Sequence, residues 1–100
     1  MTIAKLIDDM EKDGDEMTFA SVIKAWRTCE QASITDFARK LGVSRGTYGD
    51  LETGRKIPSP TRVAHIAEAL EIDEEPLILL ALRDYLKSHG FDYKICLESA

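Results

Sequence analysis

Gly42 and Gly54 each close a short helical pattern that a serine opens, and this confines residues 33–54 to two brief helices joined by a tight turn. Ser33-Ile34-Thr35-Asp36 has the form of a capping box. The Ser33 hydroxyl can accept from the backbone N–H three residues on, while Asp36 reaches back. The helix so opened carries Phe37, Ala38 and Leu41 and stops at Gly42, where glycine supplies the left-handed conformation that reverses the chain. Ser44 caps the second helix, Arg45 to about Thr53. Two helices this close must cross near Ala38, whose small side chain permits it. Val43 and Leu51 then fill the angle between them, and the face of Arg45–Asp50 is left exposed.

The surrounding chain is helical by period. Ile3, Leu6, Ile7 and Met10 recur at helical spacing, as do Phe19, Val22, Ile23 and Trp26, and Val63, Ile66, Ala67 and Leu70. Phe19 and Trp26 are therefore expected in the core, with a helix over about Thr18 to Cys29. Ser59-Pro60 starts a further helix, and Asp73-Glu74-Glu75-Pro76 starts the last, which runs to about His89. From Phe91 to Leu97 the period changes to two, which predicts a strand. The expected fold is all-α: about five helices and a short N-terminal helix, with a strand-like tail. Residues 1–16 form an amphipathic helix and acidic linker, 17–72 a compact domain, and 73–100 a C-terminal helix and tail suited to dimerisation.

Composition narrows the class. An apolar fraction of 44% is ordinary for a globular chain, and the longest apolar run, Leu77 to Leu82, is far too short to span a membrane. Cys29 and Cys96 are distant from each other, and with only His65 and His89 no metal-ligand spacing arises. Nothing pairs with either cysteine as a nucleophile's base, so covalent catalysis has no support, and no cofactor is expected. The N-terminus shows no signal peptide, and a cytoplasmic location is expected.

The overall charge of −5 conceals a segregation. Residues 1–16 carry a net −4 and residues 64–100 a net −5, while residues 17–63 carry +4. A polyanion can be met at the centre and repelled elsewhere, although chance segregation of surface charge gives the same totals. The two central helices have the dimensions of a helix-turn-helix. The string Ser33-x-x-x-Phe37-Ala38-x-x-Leu41-Gly42-Val43-Ser44-Arg45-x-Thr47-x-x-x-Leu51-Glu52-x-Gly54-x-x-x-Pro58 resembles the XRE family, the phage-repressor and Cro type of this motif. The resemblance extends from about Phe19 to Ile72 and implies a lambda-repressor-like bundle that binds double-stranded DNA.

The resemblance also implies residue roles. Arg45, Gly46, Thr47, Gly49 and Asp50 fall at groove-facing positions. Arg45 can bond guanine O6 and N7 together, or contact phosphate only. Thr47 can meet a thymine methyl or a phosphate, or act as a plain helix residue. Asp50 can accept from cytosine N4, yet phosphates repel it. Arg55 and Lys56 fall where the family places phosphate contacts, and Ser33, Ser44 and Thr53 can offer hydroxyl or N–H groups. Arg27 and Glu52 match a pair that ties the first helix to the recognition helix, and the arginine can also reach a phosphate. Three departures from the family pattern stand out: Ile34 replaces a phosphate-binding glutamine, Tyr48 replaces a small aliphatic, and Gly46 and Gly49 together weaken the recognition helix.

The expected function is sequence-specific transcriptional regulation on a short palindrome bound as a homodimer. The remaining residues leave no room for an effector domain, so control would come from abundance or a protein partner. The alternative is an antitoxin or other interaction module whose helix-turn-helix serves mainly for docking a toxin or another protein.

Overall fold

The computed structural model describes residues 17–93 and residue 95, and within them the fold is helical. The helices are α1 (Phe19–Cys29), α2 (Ile34–Leu41), α3 (Arg45–Glu52), α4 (Pro60–Leu70) and α5 (Glu74–Ser88). Helix α1 packs on α3 and α5, α2 on α3 and α4, and α4 on α5. The N-terminal stripe at Ile3–Met10 lies outside the described residues.

Side-chain caps set the boundaries. Thr18, Ser33, Ser44 and Ser59 each accept from the backbone N–H three residues on, so four of the five helices start on a hydroxyl. Asp73 precedes α5 without such a bond, and Glu74 and Glu75 supply negative charge to its first turn instead. The capping box expected at Ser33 forms only half: Ser33 accepts from the Asp36 N–H, but the Asp36 carboxylate lies 3.9 Å from Arg39. A complete box forms instead at Thr18, where Ser21 bonds back to the Thr18 N–H at 3.0 Å. Gly42 takes φ 73° and ends α2, as its position requires.

The core draws on all five helices, through Phe19, Val22, Ile23, Phe37, Leu41, Tyr48, Leu51, Val63, Ile66, Leu70, Leu77 and Leu80 among others. Phe37 and Tyr48 meet edge to face, with ring centroids 5.5 Å apart, so an aromatic pair occupies the angle of the helix-turn-helix. Ala38 is buried where α2 and α3 cross. Trp26 departs from its expected core role: it packs against the core from the rim and donates its indole N–H to the Glu30 carboxylate at 3.1 Å. At the opposite end α5 holds the entrance to α1. Asp84 accepts from the Phe19 N–H at 2.6 Å, and Arg83 donates to the Met17 carbonyl.

Residues 91–93 and 95 adopt no strand, which corrects the reading of the tail at those positions. Alternation alone cannot stabilise a strand, because its N–H and C=O groups need a neighbouring strand. Phe91 and Tyr93 are exposed and stack on each other, with centroids 6.0 Å apart. Among the described residues no helix is long and apolar enough to cross a membrane.

Candidate nucleic-acid interface

Helix α3 turns one side inward and one outward. Tyr48 and Leu51 are buried, and the Arg27–Glu52 pair closes the inner edge. The outer side carries Arg45, Gly46, Gly49 and Asp50, with Gly46 and Gly49 along its centre. A Cβ built on either glycine meets nothing within 4 Å, and neither has positive φ. The fold therefore does not require glycine at these positions. The centre of the outer face is bare backbone flanked by Arg45 and Asp50.

The inner pair is closely made. The Arg27 guanidinium donates to both Glu52 oxygens, at 2.7 and 3.2 Å, and to the Ala32 carbonyl at 3.0 Å. All three of its nitrogens are thus engaged within the domain, which leaves Arg27 poorly placed for a phosphate. The bonds to Glu52 outweigh burial and hold the Arg27 pKa above its ordinary value. Burial pushes the Glu52 carboxyl up, but the hydrogen bonds from Arg27, with the polar Tyr48 hydroxyl close by, bring it below the ordinary value. Burial, and the adjacent Glu52 charge after it, push the Tyr48 phenol far above its ordinary range. Its hydroxyl nevertheless makes no direct hydrogen bond.

The outward candidates differ in what they can still offer. Arg45 is exposed and makes no ion pair among the described residues. Ser33 accepts from a backbone N–H and keeps its proton to donate. Ser44 accepts from the Thr47 N–H and donates to the Thr47 hydroxyl at 2.9 Å, so Thr47 keeps the outward proton of that pair. Thr53 donates its hydroxyl to the Gly49 carbonyl at 2.9 Å, which commits it to the end of α3. Ile34 is half-buried against the core, an apolar contact where a polar side chain would face out.

Beyond α3 the chain folds back. Gly54 takes φ 78°, and the Lys56 N–H donates to the Asp50 carbonyl at 3.1 Å. This turn brings two cations onto one carboxylate: Arg55 lies 3.5 Å and Lys56 3.6 Å from the Asp50 oxygens. Sequence spacing gave no sign of this triad, because five- and six-residue separations do not share a helix face. Lys40 is similarly occupied, by Glu30 at 2.8 Å.

A helix that presents its outer face beside a pair of cations, on a small all-helical bundle, defines the DNA-binding helix-turn-helix class. The family model described as Helix-turn-helix matches residues 23–77, and the chain belongs to this XRE-type family. An Archaeoglobus fulgidus protein named "Uncharacterized HTH-type transcriptional regulator" is 36% identical over 81 residues, covering 78% of this chain. The chain spans 34% of that relative's length. No solved structure matches the chain.

Proposed function

We propose that the chain is a sequence-specific DNA-binding regulator of transcription that places α3 in the major groove. The observation that carries this reading is the outer face of α3. It presents Arg45 at its start and cations at its end, while the helix itself is fixed to the core by Tyr48, Leu51 and the Arg27–Glu52 pair. Arg45, Gly46, Thr47, Gly49 and Asp50 would lie along the bases. Ser33, Ser44, Arg55 and Lys56 would bear on phosphates, and Thr53 would contribute through the position of the turn. A short palindrome bound by a homodimer fits the class, since two-fold symmetry sets two recognition helices about 34 Å apart. Helix α5 supplies surface for the dimer. Leu79, Leu82 and Leu86 are only partly buried on it, and Tyr85 is exposed.

Electrophoretic mobility shift against the DNA upstream of the chain's own coding sequence tests the reading. Arg45→Ala should cost about 1–3 kcal/mol on the preferred site and relax one base pair. Arg55→Ala should weaken all sequences alike and flatten the salt slope by about one. Equal loss of specific and non-specific binding in both variants would overturn this division of roles. Light scattering at tens of micromolar tests the homodimer, and a monomer at that concentration would end it. The exposed aromatic end, Tyr85, Phe91 and Tyr93, favours one second reading, a regulator that also docks a protein partner such as a toxin.

A further inference from the structure

Asp50 stands out on the α3 face because a carboxylate there opposes the phosphates that the face would meet. Three observations show how the fold uses it. The Lys56 N–H bonds the Asp50 carbonyl, so the turn after α3 is tied to this residue by its backbone. Arg55 and Lys56 both approach the Asp50 carboxylate, one on each oxygen. Asp50 is also the more enclosed member, its side chain 24% exposed against 77% and 68% for the two cations. The anion is the enclosed partner, and the two cations project into solvent.

We infer that Asp50 is a specificity-determining residue that competes with DNA phosphate for Arg55 and Lys56. The inference rests on the DNA-binding reading above and deepens it. On an arbitrary sequence, the two cations leave Asp50 for the phosphates and strand a carboxylate against the groove floor. A sequence that presents an exocyclic amine there, cytosine N4 or adenine N6, gives that carboxylate a donor in place of the departed cations. Random DNA therefore bears the full penalty and a matching site bears little of it. Discrimination arises by weakening the wrong complexes as well as by strengthening the right one.

The test is fluorescence anisotropy on the full chain with two labelled duplexes: one of random sequence, and one enriched from a random pool by the wild-type protein. Asp50→Asn should bind the random duplex about three- to tenfold more tightly, the range set by releasing two exposed ion pairs. Its preference for the enriched duplex should fall. Removing any negative charge tightens DNA binding, so the deciding measurement repeats Asp50→Asn in an Arg55→Ala/Lys56→Ala background. The gain should shrink at least by half there. An equal gain in both backgrounds would show simple repulsion and overturn the competition. A wild-type chain that binds neither duplex would instead remove the DNA-binding reading itself, and this inference with it.

Discussion

Two residues of the inner α3 edge illustrate opposite uses of burial. Glu52 is 9% exposed and holds a guanidinium that is itself 19% exposed, so neither partner can be removed cheaply. Glu52→Ala should cost about 2 kcal/mol, between the values for surface and fully buried pairs, measured as a shift in the denaturation midpoint at pH 7. Because the folded carboxyl titrates below its ordinary value of 4.5, its contribution is present above that pH. It is lost as pH falls through the lowered value, and the wild type should lose this part of its stability in acid where the variant does not. Tyr48 is the converse. Its ring fills the angle against Phe37, but its hydroxyl is buried without a hydrogen bond. Tyr48→Phe should therefore leave thermal stability unchanged or raise it by up to about 1 kcal/mol. A loss beyond that would mean the hydroxyl is bonded after all.

At the scale of the elements, the helices were legible because their ends are chemical. Ser33, Ser44 and Ser59 cap as their positions implied, and Gly42 reverses the chain. The box at Thr18 carries no signature in the sequence, because serine, not glutamate or glutamine, sits three residues on. Helix α3 carries the opposite lesson. Gly46 and Gly49 lower its propensity, yet nothing in the fold crowds a Cβ at either site. Alanine at each should stabilise the domain by about 0.5–1 kcal/mol in thermal melts. If the bare strip exists for close approach to the groove, the same variants should bind DNA more weakly than the wild type. Stabilised variants with unchanged binding would leave the glycines without a role in recognition.

At the scale of the molecule, what the sequence hides is what distant segments do to each other. The Asp50 triad depends on the turn at Gly54, and the grip of α5 on the start of α1 joins residues 65 apart in the chain. Periodicity reports which face of a helix is apolar, not which backbone group a polar residue will reach. Trp26 shows the same limit, since its stripe is right but its turn of the helix lies at the rim. Asp84→Ala should cost about 1–2 kcal/mol by leaving the Phe19 N–H unpaired, while Asp84→Asn, which keeps an acceptor, should recover most of it. The acid dependence here has the other sign from Glu52. Burial raises the Asp84 carboxyl, so its contribution is greatest below the ordinary 3.8 and declines as pH rises through the folded value.

That grip also orders events in time. Helix α1 leaves the ribosome long before Arg83 and Asp84, so its first turn must wait for the far end of the domain before its donor and acceptor are both engaged. A contact that closes so long a loop rewards the chain only after the entropy of closure has been met, and it belongs late on the pathway. Chevron plots of Asp84→Ala should show refolding close to the wild-type rate and faster unfolding. The latch that completes the domain would then govern how long it stays folded rather than how quickly it forms.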